Sequence, residues 1–339
     1  MPNFLNCLSL QHNIEIPAMI ELAPITFNPY LRTVIWGGKK ICKFKGIPSV
    51  DSKIGESWEI SAIPQHESVV ASGRYKGMTI NQLVDAFGVE LLGEKVIHKY
   101  GRRFPLLVKL IDAADNLSVQ VHPDSELAMR RHGMQGKTEM WYVIAAKEGA
   151  KIFAGLTERM TPEEYVERVA AGTFAEAVAA HNSSAGDAYF LPPGRVHAIG
   201  AGNFIAEIQE SSDITYRIFD YNRRDTNGQM RELHTDLAKD AIDFAVQDEF
   251  KLPPIPSDIN DCIIVDCNSF TTRRVKVDGP SSLRLSDGSF TVVLCVEGDI
   301  TLNYPEGSMA LKEGHTVLLP AAMTGVTVDG KAILLVSSC

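Results

Sequence analysis

The sequence has few of the features that mark secreted, membrane-spanning or nucleic-acid-binding proteins. Its 339 residues contain six cysteines, scattered and never in CxxC spacing, so a disulfide framework is not expected and reduced thiols are the simpler interpretation. No apolar run approaches the roughly 18 residues of a transmembrane helix. Positive charge is in deficit, with 33 Lys and Arg against 42 Asp and Glu. The net charge of -9 favours neither nucleic acid nor a membrane as a partner, and an anionic ligand would need a local basic pocket.

The N-terminus lacks a basic start and a long apolar stretch, so a secretory signal is not expected and a cytoplasmic location is predicted. Residues 1–18 follow no clear pattern and are interpreted as an N-terminal extension. The whole chain is 45% hydrophobic and 22% charged, which is typical of a globular protein that can bury a large core.

Most of the chain consists of short apolar segments separated by Gly, Pro and Asp, which indicates an antiparallel sandwich or barrel. Strands are predicted at residues 69–72, 106–111, 140–145, 188–191, 204–209 and 290–296. Capping boxes predict two helices, one from Thr79 towards Lys99 and one from Thr161 to about His181. A third helix is predicted over residues 232–247. The predicted fold class is therefore mainly β, with a few inserted helices.

A repeated segment divides the chain into two similar parts. The run from Gly186 to Pro192 has a counterpart from Gly314 to Pro320, and each places an apolar strand between its glycine and its proline. A Glu-Gly pair lies upstream of each run. We therefore predict one β-barrel over residues 19–250, a proline-rich linker over 251–258, and a second, smaller barrel over 259–339.

Two histidines lie in patterns that would place them inside the first barrel. The spacing G-x5-P-x-G-x2-H, from Gly186 to His197, resembles the second cupin motif, in which a tight turn directs a histidine inward. Gln120 and His122 are two residues apart on a predicted strand, so they share one face. Glu139 opens the next strand and can point to the same place. Two histidines, a carboxylate and an amide oxygen form a catalytic zinc pattern, although iron, manganese or nickel would also fit.

Each of these histidines alone has an ordinary structural explanation. Either His122 or His197, taken singly, would be as readily a satisfied core histidine as a ligand. Their joint placement in both halves of a cupin pattern favours a metal site. In the second repeat Gly325 stands where the histidine would be, so the second barrel is predicted to be a degenerate, structural cupin-like domain.

The segments around these residues resemble the signature of the type I mannose-6-phosphate isomerases, a family of the cupin superfamily. The similarity lies in residues 118–123 (SVQVHP), 136–142 (GKTEMWY) and 209–217 (QESSDITYR), with further matches at 30–38 and 55–61. It extends over about residues 19–339 and is greatest to the short bacterial form, which lacks a large helical domain. The resemblance implies two cupin-like, jelly-roll β-barrels, the first of them catalytic.

The resemblance also implies the residues of the site. One Zn²⁺ per chain would be bound by Gln120, His122, Glu139 and His197. Arg217 would be the active-site arginine, Ser118 and Lys137 would hold or flank the substrate phosphate, and Lys109 would be a further active-site lysine. Longer members often have a histidine where this chain has Gly136, so a mechanism with that histidine as proton carrier cannot apply here.

The implied activity interconverts D-mannose 6-phosphate and D-fructose 6-phosphate through an enediol(ate). This reaction needs a Lewis acid at the sugar oxygens, a base that carries a proton between C1 and C2, and a cationic grip on the phosphate. The base is open among Glu207, Asp213, Lys109 and Lys137. Arg217 would hold the phosphate or steady the enediolate.

Two other functions compete with this interpretation. A different metal-dependent cupin enzyme, such as a dioxygenase, would use the same ligands, and a non-catalytic sugar-binding cupin would use the same fold. The complete ligand set beside Lys137 and Arg217 favours an isomerase of a phosphorylated sugar. A monomer or a homodimer is expected, with no nucleic-acid or membrane partner.

Overall fold

Short strands dominate the computed structural model, which describes residues 22–49, 52–224, 228–246, 250–256 and 258–339. The predicted N-terminal extension, residues 1–18, lies outside these ranges. The strands are β1 Ile25–Asn28, β2 Tyr30–Gly38, β3 Ile54–Ile60, β4 Val69–Val70, β5 Leu106–Asp112, β6 Val119–Val121, β7 Glu139–Ala146, β8 Lys151–Leu156, β9 Val178–Asn182, β10 Ala188–Leu191, β11 His197–Ile199, β12 Asn203–Glu210, β13 Tyr216–Phe219, β14 Asp261–Asp266, β15 Thr271–Asp278, β16 Ser281–Ser282, β17 Thr291–Tyr304, β18 Gly307–Lys312, β19 Thr316–Leu319 and β20 Thr327–Ser338. The helices are α1 Lys40–Phe44, α2 Ile80–Leu92, α3 Glu94–Tyr100, α4 Ser125–His132, α5 Pro162–Ala171 and α6 Thr235–Lys239.

Two of the sheets face each other and enclose the region where the predicted site residues lie. The five-stranded sheet has the order β13-β6-β11-β8-β9, and the six-stranded sheet has the order β10-β7-β12-β5-β3-β2. One apolar cluster joins their facing sides, with Ile111 and Val143 from the six-stranded sheet and Ile152 and Ile199 from the five-stranded sheet. Helices α5 and α6 pack on the outer face of the five-stranded sheet.

A nine-stranded sheet forms the next layer, on the far side of the six-stranded sheet. Its main order is β14-β15-β20-β17-β19-β1-β4, with β16 paired to β20 and β18 to β17. Its two faces serve different cores because side chains alternate along a strand. On β17, Val292 and Leu294 join the core shared with the six-stranded sheet, while Val293 and Cys295 face the sheet's own interior. Since β1 and β4 precede the predicted linker at 251–258, this sheet contains strands from both predicted domains, and the domain boundary stays a prediction.

The predicted mainly β, cupin-type fold is confirmed. Within the described ranges the strand pairings leave open sheets that pack in layers, and no pairing closes a continuous ring. The repeated segment also has the predicted structure: β10 begins two residues after Gly186 and β19 two residues after Gly314. Both glycines have positive φ, 90° and 77°, which a tight turn into a strand favours.

Glycines divide one of the predicted helices and end another. The helix from Thr79 is divided at Gly93, where an added Cβ would lie 2.3 Å from the Gly288 carbonyl oxygen. The helix from Thr161 ends at Gly172, whose left-handed conformation forms the C-cap. Residues 178–182 then form β9, so the predicted continuation of this helix to about residue 181 was wrong.

The helix predicted over residues 232–247 was wrong in extent, since α6 covers only five residues and residue 247 lies outside the described part of the chain. Before α6, the His234 amide donates to the Arg217 carbonyl at 2.7 Å. After it, the Asp243 amide donates to the Gly194 carbonyl at 2.8 Å. These hydrogen bonds hold the flanking chain against the strands, so tertiary contacts override the local helical pattern.

None of the helices in the described ranges is long and apolar enough to cross a membrane. The five cysteines in those ranges are free thiols, as the sequence predicted. Cys7 lies outside the described residues.

The capping box of α5 provides a direct test of one local stabilising interaction. Thr161 Oγ1 accepts from the Glu164 amide at 3.2 Å, and Glu164 Oε2 accepts from the Thr161 amide at 2.7 Å. Thr161→Ala is expected to lower the free energy of unfolding by about 1 kcal/mol, measured by urea denaturation. Thr161→Ser keeps the hydroxyl and should unfold like the wild type. An alanine variant as stable as the wild type would contradict this contribution.

Candidate active site

The facing side of the five-stranded sheet carries a transverse row of polar residues. Gln120 on β6 pairs directly with His197 on β11, and on its other side with Arg217 on β13. His122 follows two residues after Gln120, just past the end of β6, and therefore projects towards the same side. The period-two spacing of Gln120 and His122 in the sequence is thus the local reason that both reach one face.

The six-stranded sheet carries a second row. Across β3, β5, β12 and β7, Trp58 pairs with Lys109, Lys109 with Glu207, and Glu207 with Trp141. Two residues further along, Gln209 pairs with Glu139. All of these side chains are buried or nearly so. The site therefore lies between two polar rows that strand register fixes on opposite sheets.

Where the two rows meet, His122, Glu139 and His197 form a compact buried cluster. The two Nε2 atoms of the histidines are 3.1 Å apart. Glu139 Oε1 lies 3.4 Å from His122 Nε2, and Glu139 Oε2 lies 3.6 Å from His197 Nε2. Ligand atoms at about 2.05 Å from a tetrahedral zinc ion are about 3.3 Å from one another, so these separations fit three ligands of one metal ion.

Backbone hydrogen bonds orient both rings for this role. His122 Nδ1 donates to the Ile214 carbonyl and His197 Nδ1 to the Arg195 carbonyl, each at 2.8 Å. Because a carbonyl only accepts, Nδ1 carries the proton in both rings and each Nε2 presents its lone pair to the cluster. Glu139 Oε2 accepts no hydrogen bond from the described residues. The two Nε2 lone pairs and the buried carboxylate converge on one point, and this arrangement fits a cation.

The local electrostatics favour the protonation states that bind a metal. Burial lowers the pKa of His122 well below its usual value, and the nearby Lys137 adds to this effect. Burial also lowers the pKa of His197, although Glu139 opposes the shift. For Glu139, burial disfavours the charged form, but the nearby ammonium groups, Lys137 first and then Lys109, outweigh it and lower the pKa of the carboxyl. The cluster thus consists of neutral imidazoles and a carboxylate.

Gln120 and Lys137 lie at the edge of the cluster. The Gln120 amide nitrogen is 3.3 Å from His197 Nε2, and rotation of the amide by 180° would present its oxygen to the same point. Ser118 Oγ lies 3.4 Å from Gln120 Oε1. Lys137 Nζ is 2.7 Å from Glu139 Oε1 and 3.3 Å from His122 Nε2. Lys137 therefore contacts two of the predicted metal ligands, Glu139 and His122.

A buried ion pair lies in the opposite row. Lys109 Nζ is 2.7 Å from Glu207 Oε2 and 2.6 Å from Gln209 Oε1. Glu207 Oε1 accepts from Trp141 Nε1 at 2.8 Å. Burial disfavours the Lys109 ammonium, but Glu207 and other nearby carboxylates outweigh burial and raise its pKa. Lys109 is therefore held as a cation in this position.

One cavity of about 270 Å³ brings the two rows together. It is lined by seven of the residues that the sequence singled out, namely Lys109, Ser118, Gln120, Lys137, Glu207, Asp213 and Arg217. The remaining three, His122, Glu139 and His197, form the buried cluster next to Gln120 and Lys137. A second cavity of about 670 Å³ shares Asp213 with the first, so Asp213 lies between them.

Sequence reasoning did not identify several cavity residues. Trp36 and Trp58 line the cavity, as do Arg32, Glu56 and Arg231. The alternation of Glu56 and Trp58 on one strand was a usable signal, because it places both on the face that carries Lys109. Arg231 lies outside any strand, and the sequence around it contains no comparable pattern.

Comparison with known proteins identifies the family of the chain. A model described as phosphomannose isomerase type I, catalytic domain, matches residues 25–154, and one described as mannose-6-phosphate isomerase, cupin domain, matches residues 260–339. A mannose-6-phosphate isomerase of Streptococcus mutans is 35% identical over 317 residues, which is 93% of this chain and 98% of the relative. Mannose-6-phosphate isomerase ManA of Bacillus subtilis is 33% identical over 325 residues, with the same two coverages.

Solved structures agree with this assignment. The crystal structure of the mannose 6-phosphate isomerase from Bacillus subtilis matches with a TM-score of 0.82 and 33% identity, over 93% of this chain and 99% of that chain. Sequence and fold are thus similar over nearly the full length of both proteins. The chain belongs to the type I mannose-6-phosphate isomerases.

Proposed function

We propose that this enzyme interconverts D-mannose 6-phosphate and D-fructose 6-phosphate through an enediol(ate), with one Zn²⁺ per chain. The observation that carries the proposal is the meeting of the two polar rows: the His122, Glu139 and His197 cluster and the Lys109–Glu207 pair are adjacent to one cavity. An aldose–ketose isomerisation needs both a site for an electrophilic ion and a group that moves protons, within reach of the same two carbons.

The ligand set supports zinc. Two neutral imidazoles and one carboxylate, with Gln120 as a fourth ligand through its amide oxygen, match a catalytic zinc site better than a closed structural one. The bound ion would act as a Lewis acid that polarises a sugar oxygen. Iron, manganese and nickel remain alternatives for the same ligands, and the restoration experiment below compares them.

We assign the transfer of the proton between C1 and C2 to the Lys109–Glu207 pair. Lys137 is less suited, because its ammonium lies 2.7 Å from the ligand Glu139. Asp213 is exposed where the two cavities meet, where water can reach it. Glu207 lines the cavity beside Lys109, so its carboxylate can accept the carbon-bound proton and return it to the neighbouring carbon, while the Lys109 ammonium donates a hydrogen bond to the sugar oxygen that gains charge.

The remaining cavity residues would hold the sugar. Ser118 is buried beside Gln120 and can donate its hydroxyl hydrogen to a substrate oxygen. Arg217 lies one strand away from Gln120 and can contact either the enediolate or the phosphate. The oligomeric state, a monomer or a homodimer, and the cytoplasmic location stay predictions.

A coupled assay of the purified protein tests the proposal. Formation of fructose 6-phosphate from mannose 6-phosphate should be lost on chelation and regained on addition of zinc, with iron, manganese and nickel compared at equal occupancy. The absence of isomerase activity in a folded, zinc-loaded protein would contradict the proposed function. Oxygen consumption, measured in parallel with the iron-loaded protein, would instead favour the dioxygenase alternative.

A further inference from the structure

Strand order gives the active-site cavity two chemically different ends. The metal cluster draws its residues from the neighbouring strands β6 and β11 on one sheet, and from β7 on the other. Arg217 lies on β13 and Arg32 on β2, and each of these strands is the outermost of its sheet. Both arginines line the cavity, as does Arg231. The arginines therefore gather where the two sheets end, away from the centre where the metal ligands meet.

The segment that carries Arg231 is bound to the outer side of β13. The His234 amide donates to the Arg217 carbonyl at 2.7 Å, and Arg217 Nη1 donates to the Glu232 carbonyl at 2.7 Å. Neighbouring strands are about 4.8 Å apart, so the Arg231 segment lies roughly 10 Å from the strand of Gln120. This offset suits a chain of six carbons whose first two carbons react near Gln120 and whose last carbon bears an anionic group.

One carboxylate holds the Arg231 guanidinium in place. Arg231 Nε donates to Asp220 Oδ2 at 2.7 Å, and Arg231 Nη2 donates to Asp220 Oδ1. Arg223 also donates to Asp220 Oδ1, at 2.5 Å. Arg223 further contacts Asp115 and the Asn116 carbonyl, and it does not belong to the cavity lining. Asp220 thus orients two arginines, of which only Arg231 faces the substrate cavity.

The cavity arginines are only partly offset by carboxylates. Within the described residues Arg217 forms no salt bridge, Arg231 shares Asp220 with Arg223, and Arg32 has a 3.4 Å contact with Glu56, whose Oε2 also accepts from Trp58 Nε1. Burial and the nearby arginines, Arg231 first among them, lower the pKa of Arg217. Like charges fixed near one another in a cavity are stabilised by a bound anion, and planar guanidinium groups suit phosphate oxygens.

We propose that Arg231, fixed by Asp220 and acting together with Arg217, binds the substrate's 6-phosphate, and that Arg32 closes this site at the mouth. Lys137 then stays with the metal ligands and does not grip the phosphate. The sugar consequently enters with its phosphate towards β13 and its first two carbons beside Gln120 and the Lys109–Glu207 pair. This inference rests on the proposed isomerase function and adds the residue that selects a phosphorylated sugar.

The test compares Arg231→Met with Arg223→Met. Both variants remove one arginine from Asp220, but only the first removes a cavity residue. For Arg231→Met we expect KM for mannose 6-phosphate to rise by about 10- to 100-fold, because one or two charge-assisted hydrogen bonds to the phosphate are lost. The change in kcat should be smaller. Turnover of unphosphorylated mannose, however slow, should be unchanged. Binding of inorganic phosphate, measured by calorimetry, should weaken by a similar factor.

Arg223→Met should keep the wild-type KM and phosphate affinity. Equal losses in both variants would overturn the proposal, because they would assign the effect to the Asp220 framework. An unchanged KM and phosphate affinity in Arg231→Met would also overturn it. If Arg231→Met fails to fold, Arg231→Lys and Arg32→Met give the same readouts, with an intermediate loss expected from each because lysine lacks the bidentate geometry and Arg32 is half exposed.

Phosphate calorimetry separates this inference from the proposed function. A wild-type protein that binds inorganic phosphate through Arg231, but does not convert mannose 6-phosphate, would support the anion site and contradict the isomerase assignment. Conversion of mannose 6-phosphate with equal kinetics in the wild type and in Arg231→Met would support the isomerase assignment and contradict the anion site.

Discussion

Replacing His197 with alanine is expected to abolish tight metal retention and to lower kcat/KM for mannose 6-phosphate by about 1,000-fold or more, since a Lewis-acid ion contributes several kcal/mol to transition-state stabilisation. His197 contributes one of only two imidazoles in the cluster, and its ring is fixed by the hydrogen bond from Nδ1 to the Arg195 carbonyl. Alanine leaves Glu139 and His122 without the third member of the triad. Metal content by elemental analysis and the coupled isomerase assay measure the two losses.

The fold should survive this substitution. Residue 197 pairs through its backbone with Gln120 on one side and Ala154 on the other, and alanine keeps both pairings. His181→Ala is the matched control, because His181 is on the same sheet and contacts a carbonyl, that of Ala154, at 3.1 Å without joining the metal cluster. The control should retain metal and turnover. A His197→Ala protein with full metal content and full activity would remove His197 from the site.

Much of the fold could be predicted because local patterns and tertiary structure agree there. The glycine-to-proline repeat produced β10 and β19 in the predicted places, since a turn residue, an apolar strand and a proline specify the same short element twice. The predictions were wrong where long-range contacts decide the outcome. The chain around α6 leaves the helix to hydrogen-bond with Arg217 and Gly194. The strand β1 pairs with β19, almost three hundred residues later, and no local pattern in the sequence indicated this pairing.

The candidate site, like the fold, could be predicted only in part. Period-two spacing placed Gln120 and His122 on one face, and the turn before His197 directed it to the next strand, so the proximity of His122 and His197 could be inferred from the sequence. The contribution of the facing sheet depends on register between strands far apart in sequence. That register pairs Lys109 with Glu207, whose proximity the sequence could not give. Arg231 depends on a hydrogen-bonded loop segment, which has no periodicity to detect.

The second large effect is expected for Lys109→Met. This substitution should lower kcat by about 100- to 10,000-fold, because a positioned acid or base usually contributes this much to the rate. Lys109 donates to Glu207 and Gln209 inside the cavity, and methionine keeps the volume of the side chain without its charge. The same change leaves the buried Glu207 carboxylate without its ion-pair partner, so the free energy of unfolding should fall by about 3–5 kcal/mol. Loss of activity alone would therefore not distinguish chemistry from stability.

The molecule contains a matched control for this ambiguity in a second buried ion pair. Lys45 Nζ lies 2.6 Å from Glu59 Oε2 and donates to the Gly314 carbonyl, away from the cavity. Both lysines are similarly buried, with 3% and 7% of their side chains exposed. Lys45→Met should therefore destabilise the protein by a similar amount, about 3–5 kcal/mol, and leave kcat unchanged when assayed below its unfolding transition.

Adding Glu207→Gln to Lys109→Met separates the two effects within the active site. The glutamine removes the unpaired, buried charge of residue 207. The double variant should therefore regain much of the lost stability, because replacing a whole buried ion pair with neutral residues is often neutral or stabilising. It should not regain activity, because the Glu207 carboxylate and the Lys109 ammonium are both absent. Recovery of both stability and turnover would show that the pair is structural, and the proton carrier would have to be sought at Asp213 or Lys137.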